Sequence, residues 1–157
     1  MKQSNEIHPD FILEKARNFC SYQERCLSDV KNKLKEWMVK DNVAEKIIDT
    51  LRKDGFLDDQ RYACVFSGSK FRMNKWGKNR IIYELQKKEI PDLYIQIGLQ
   101  EIDEEEYITV LKQLITKKSF EIKDNDPYRF RKRLASYAIS KGFEPPLVWN
   151  ILKETEG

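Results

Sequence analysis

The sequence is poor in the residue types that build catalytic and metal sites. It has one histidine, His8, and three cysteines, Cys20, Cys26 and Cys64, with no C-x-x-C pair among them. This usage argues against structural zinc, and we expect reduced, partly buried thiols. No nucleophile stands with a base, and neither a phosphate loop nor a metal-ligand set is recognisable. The pattern therefore predicts a protein that is not an enzyme and needs no cofactor.

Long apolar runs are also missing. No segment approaches the roughly 20 apolar residues that span a bilayer, and the opening MKQSNEIHPD lacks the apolar centre of a signal peptide. Charged residues make up 35% of the 157 residues, which demands a large hydrated surface. We therefore expect an elongated helical protein in the cytoplasm, without membrane contact.

Apolar residues recur three and four positions apart, and strict alternation is almost absent, which indicates α-helix throughout. Asn42 with Glu45 has the spacing of a capping box, as does Asp103 with Glu106. Asp126 precedes a proline that suits a first helical turn. We predict nine helices, which begin near Pro9, Cys26, Val43, Asp59, Gly77, Pro91, Glu104, Pro127 and Pro145.

One apolar rhythm occurs three times. Residues 5, 9, 13 and 14 after Leu34 and after Ala138 are all apolar, and the copy after Leu85 has a connection one residue shorter. These anchors lie 51 and 53 residues apart. The spacing predicts three tandem three-helix repeats, over residues 9–57, 58–102 and 103–155. Because each unit is small, neighbours should stack into an all-α, curved, elongated rod.

The stretch GFLDDQRYA is the most informative short segment. Gly55 stands where a left-handed residue would close a helix, with Phe56 placed to fold back on Leu51. Asp58 can cap the next helix, and Asp59 falls in its first turn, where negative charge is favourable. Two adjacent carboxylates could also suggest a metal site, but on a helix they point about 100° apart and no third ligand is near.

Leu57 just before this cap and Tyr62 four residues after it have the spacing of a hydrophobic staple. Trp37 and Trp149 lie at apolar positions of their helices, and we expect both in the core.

The stretch GFLDDQRYA (55–63) resembles the signature of the RecX family of recombination regulators. SYQERCLSDVKNKL (21–34) is similar to the family's opening helix pair, and WGKNRIIYELQKKEI (76–90) to its central segment. Lys78 stands where the family usually has proline, and Cys26 where a small cap residue is common. The third unit matches only in pattern. The signature residues are Gly55, Phe56, Leu57, Asp58, Asp59, Arg61, Tyr62 and Ala63.

The resemblance implies a non-enzymatic protein that binds the RecA filament on DNA and lowers its ATP hydrolysis, strand exchange and co-protease activity. It would thus modulate homologous recombination, DNA repair and the SOS response. A monomer suits a rod that must fit a repeating partner. The alternative is an autonomous DNA-binding protein whose units act as helix-turn-helix modules. The net charge of +3 favours a protein partner over direct binding of bare single- or double-stranded DNA.

Basic residues cluster in the centre of the chain. Between Phe66 and Ile90 there are seven basic and two acidic residues, and a second basic group, YRFRKR, begins at Tyr128. Such clusters could meet phosphates or an acidic protein surface, or could be solvated faces. Trp76 could anchor a partner or plug a junction between units. The candidate partner or DNA contacts are Lys70, Arg72, Lys75, Trp76, Lys78, Arg80, Lys87, Arg129, Arg131 and Arg133.

Overall fold

A computed structural model describes residues 8–154. Over that range the chain folds into nine α-helices and no strand, which confirms the predicted fold class and helix count. The same range holds no helix with the length and apolarity to cross a bilayer. The helices are α1 (Pro9–Tyr22), α2 (Leu27–Glu36), α3 (Asp41–Lys53), α4 (Asp59–Asn74), α5 (Lys78–Lys87), α6 (Asp92–Leu99), α7 (Glu104–Ser119), α8 (Pro127–Ser140) and α9 (Pro145–Glu154).

Most of the predicted helix starts are confirmed, but one cap is wrong. The Asp103 carboxylate accepts from Glu106 N at 2.9 Å, as the spacing predicts. The predicted box of Asn42 and Glu45 does not form, because α3 begins two residues earlier and its N-cap is Lys40. Asn42 therefore lies inside the first turn, beyond the position where a side chain can cap.

The repeat is visible in the backbone. The second helix of each unit ends in the same turn, in which the residue five after the apolar anchor donates back to the anchor's carbonyl oxygen. The bonds are Val39 N to Leu34 O at 2.9 Å, Ile90 N to Leu85 O at 3.1 Å, and Phe143 N to Ala138 O at 3.3 Å. The residue before each donor has a positive φ, at Met38, Glu89 and Gly142. The sequence anchors thus mark one repeated structural turn.

The apolar interior is divided into two clusters. The first core is built from α1, α2, α3 and Leu57. The second core runs continuously through α4 to α9 and includes Cys26 from the start of α2. Within α9, Val148, Ile151 and Leu152 form the buried face, so Trp149 is 37% exposed and its predicted core position is wrong.

The predicted cap at Gly55 is confirmed. Gly55 has φ +80°, and Phe56 N donates to Leu51 O at 2.8 Å. The Asp58 carboxylate accepts from Arg61 N at 3.0 Å and begins α4. Leu57 and Tyr62 do not form the predicted hydrophobic staple, because Leu57 packs in the first core and Tyr62 in the second.

Two glycines at positive φ allow a graded test of backbone strain. A Cβ on Gly55 would meet no atom within 4 Å, whereas one on Gly142 would lie 2.4 Å from Arg80 Cβ. We expect Gly55→Ala to lower the free energy of unfolding by about 1 kcal/mol through φ alone. Gly142→Ala should cost about 3 kcal/mol, because strain and overpacking add. Urea unfolding measures both, and equal losses would contradict this assignment.

Candidate partner-binding surface

The end of α4 gathers part of the central basic cluster. Lys75 closes the helix in the left-handed conformation, with φ 57°, and Trp76 N donates back to Lys70 O at 3.3 Å. This turn folds the chain over α4 before α5 begins. We call Lys70, Arg72, Lys75 and Arg80 the α4 basic surface.

Trp76 lies half-buried under this surface. Its ring packs edge-on against Phe66, with centroids 6.2 Å apart. Lys70 Nζ lies 5.1 Å and Arg80 Cζ 4.2 Å from the indole centroid, within cation–π distance. The side chain therefore plugs the packing between α4 and α5 and holds two cations in place. A direct contact between Trp76 and a partner stays a prediction.

The structure separates the predicted basic residues by their neighbours. Lys78 pairs with Glu104, and Lys87 Nζ lies 3.6 Å from Glu84. The four cations of the α4 basic surface have no acidic side chain within 4 Å among residues 8–154. Arg72 and Lys75 are also exposed to solvent. Among the candidate contacts, the cations that have no acidic partner in this range thus lie around Trp76, at the end of α4 and the start of α5.

The second basic group lies on α8, in the third unit, and has acids of its own. Arg129 lies 3.4 Å from Asp124 and 3.7 Å from Asp126, and Arg133 lies 3.8 Å from Asp124. The loop before α8 therefore supplies carboxylates that pair with part of this basic group. Arg131, between them in sequence, is half-buried. A groove of about 530 Å³ passes Arg129 and Arg133.

The second aspartate of the signature acts between units, a role that sequence reasoning missed. Asp59 Oδ1 accepts from Leu27 N, the first amide of α2, at 2.8 Å. Arg61 Nε lies 2.7 Å from Glu24 Oε1, and its Nη1 donates to Gly55 O at 2.9 Å. The signature therefore fixes α4 against α2, and we call this contact region the first junction. No local spacing could have predicted this contact, since the partners are 32 residues apart.

The same junction half-buries Asp29 in the first turn of α2. Its carboxylate accepts from Cys26 N at 3.1 Å and from Lys88 Nζ at 2.6 Å. Burial by itself raises the pKa of Asp29, but these two hydrogen bonds to the charged form outweigh it and hold the pKa below its ordinary value. Asp29 is therefore a charged, bonded group in the folded protein.

A second junction joins α5 to the third unit. Tyr107 Oη accepts from Lys78 N at 2.9 Å and donates to Glu144. Its ring lies between those of Phe71 and Phe143, at 5.7 and 5.0 Å. Burial, helped by the bond to Glu144, raises the pKa of Tyr107. The phenol therefore stays protonated and accepts a hydrogen bond from the first amide of α5.

Backbone atoms also meet directly at the second junction. Gly77 N donates to Lys141 O and Asn79 N to Gly142 O, both at 2.9 Å. A Cβ on Gly77 would lie 2.2 Å from Gly142 C. Only glycine leaves room for this approach.

Across residues 8–154, no three or more His, Cys, Asp or Glu side chains are grouped so as to hold a metal ion.

Comparison with known proteins gives consistent matches. A family model described as RecX, second three-helix domain, matches residues 58–99. Regulatory protein RecX of Clostridium acetobutylicum is 31% identical over 148 residues, covering 92% of this chain and 68% of that protein. Regulatory protein RecX of Bacillus cytotoxicus is 26% identical over 139 residues, covering 88% of this chain but 52% of that protein. The chain thus spans about half the length of the Bacillus relative.

Solved structures show the same fold. The crystal structure of RecX from Lactobacillus salivarius superposes with a TM-score of 0.85 at 20% identity, over 94% of this chain and 96% of that one. A second crystal structure, of regulatory protein RecX, gives a TM-score of 0.80 at 23% identity over 98% of this chain and 82% of that one.

The bonds to Asp29 predict a weaker first junction in acid. The depressed pKa means that the stabilisation is fully present above the unfolded value, about 3.9, and is lost as pH falls through the lower folded value. We expect Asp29→Asn to lower the free energy of unfolding by about 1 kcal/mol at pH 6. The loss is modest because Lys88 is partly exposed to solvent. This cost should shrink below about pH 4.

Urea unfolding of wild type and Asp29→Asn at pH 6, 4 and 3 measures this difference. In a Lys88→Met background the cost at pH 6 should be smaller, because one of the two bonds is already gone. A cost that is the same at all three pH values would contradict the role of the charged carboxylate.

Proposed function

The chain belongs to the RecX family, and we propose that it is a non-enzymatic regulator that binds the RecA–DNA filament and inhibits its ATPase, strand-exchange and co-protease activities. We propose further that it works as a cytoplasmic monomer built of three three-helix units, over residues 9–57, 58–102 and 103–155. Contacts made by more than one unit would add avidity even where each is weak.

The observation that supports this proposal best is the α4 basic surface. Four cations without acidic partners in residues 8–154 lie where α4 ends and α5 begins, and the Trp76 ring holds Lys70 and Arg80 there. Stacking on the ring limits the rotamers of these cations, so less entropy is lost when a partner is bound. Such a surface fits the acidic face of a protein or the phosphates beside it.

Arg72 and Lys75 are the residues to test, because both are exposed and neither supports a junction. We expect the pair of changes Arg72→Gln and Lys75→Gln to raise the concentration for half-maximal inhibition about tenfold, equivalent to about 1.4 kcal/mol. The measurement is RecA ATP hydrolysis on single-stranded DNA during titration with each protein. Lys112→Gln is the control, since Lys112 lies on α7 and pairs with Glu154.

Binding to bare single-stranded DNA at two salt concentrations completes the test. A filament regulator should inhibit at sub-stoichiometric concentrations and bind bare DNA weakly. Failure to inhibit, combined with tight DNA binding that falls steeply with salt, would favour the autonomous DNA-binding alternative. If the double variant inhibits as wild type does, the α4 basic surface is not the contact.

A further inference from the structure

The two junctions between units are built differently. At the second junction the apolar interior is continuous, with the Tyr107 ring lying between Phe71 of α4 and Phe143 beyond α8. Backbone hydrogen bonds from Gly77 and Asn79 reinforce it. Helices α4 to α9 therefore form one body whose parts cannot separate without opening a shared core.

The first junction has no such core. Among residues 8–57, Cys26 is the sole buried side chain that belongs to the second core, and the first core takes no buried member from α4 to α9. Three polar contacts also cross this junction. They are Asp59 to Leu27 N at 2.8 Å, Arg61 to Glu24 at 2.7 Å, and Lys88 to Asp29 at 2.6 Å. We call these three contacts the latch.

Polar contacts of this kind open more readily than an apolar core. Arg61 and Lys88 are 40% and 43% exposed, so water and salt ions reach their charges. Exposed ion pairs contribute little net free energy and are screened by salt. Opening the latch would uncover Cys26, while every other buried member of each core stays packed on its own side of the junction.

We infer that helices α1 to α3 hinge as a unit on the body formed by α4 to α9, and that the latch of Asp59, Arg61 and Lys88 holds the hinge closed. Asp59 is the positioning residue, because its carboxylate satisfies the first amide of α2 only when the two parts are docked. Higher salt favours the open form. This inference does not depend on the identity of the partner.

Cys26 is the natural probe of opening. Its side chain has no exposed surface in the closed form, so a thiol reagent reaches it only when the junction separates. A chain with Cys20→Ala and Cys64→Ala carries Cys26 as its single thiol, and its labelling by a small maleimide at neutral pH reports the open population. A chain with Cys26→Ala and Cys64→Ala reports instead on Cys20, inside the first core.

The adjacent aspartates supply a matched pair of variants. Asp59→Ala removes the contact across the junction, whereas Asp58→Ala removes a cap within α4. In the Cys26 chain, we expect Asp59→Ala to raise the labelling rate at least tenfold and Asp58→Ala less than twofold. Equal acceleration by both variants would mean that only global unfolding exposes Cys26, and would overturn the hinge.

Salt provides a test that needs no change in the latch. Between 50 and 500 mM NaCl, we expect labelling of Cys26 to accelerate several-fold and labelling of Cys20 to stay within twofold, since the first core remains closed. If both thiols respond alike, or if Cys26 does not respond, the hinge is refuted. These outcomes are independent of RecA, so failure of the proposed function leaves them unaffected.

Discussion

Satisfying half-buried helix starts is the constraint on which the junctions of this fold depend. The first amides of a helix have no partner within the helix, and α2 and α5 both begin where the next unit covers them. Leu27 N is satisfied by Asp59, and Lys78 N by Tyr107. An unpaired buried amide would cost on the order of 1–3 kcal/mol. Each junction is thus positioned by a donor in one unit and an acceptor in the next.

The two acceptors stand at related places in the repeat. Asp59 is the first residue of α4, and Tyr107 is the fourth residue of α7. A short carboxylate at the first position and a long phenol one turn later reach the start of the preceding unit's second helix. The phenol brings a large ring into the core as well, whereas the carboxylate does not. This difference explains why the second junction has a continuous apolar core beside its hydrogen bonds, whereas the polar contacts at the first junction have no such core.

Local features of the fold were predictable from the sequence, and contacts between units were not. The caps at Gly55, Asp58 and Asp103 follow from residue types within one turn, and all three are confirmed. The box at Asn42 failed because α3 begins at Asp41 with Lys40 as its N-cap, which places Asn42 inside the first turn. The roles of Asp59 and Tyr107 depend on which helices stack, and periodicity along one helix carries no such information.

The candidate surface shows the same division. Sequence composition placed basic residues around α4, α5 and α8, but it could not tell which of them have acidic neighbours. Asp124 pairs with Arg129 and Arg133 of the α8 group, and Glu104 pairs with Lys78. Trp76 packs half-buried against the second core, which its position beside a glycine did not reveal. What remains for a partner is therefore smaller and more localised than the charge pattern indicated.

The start of α8 differs from those of α2 and α5 in where its hydrogen-bond acceptor comes from. Asp126 accepts from both Tyr128 N and Arg129 N, and Pro127 has no amide hydrogen to satisfy. The start of α8 therefore needs no hydrogen-bond acceptor from a neighbouring unit. The third unit thus satisfies the start of its second helix by itself, whereas each of the first two units relies on an acceptor from the unit that follows.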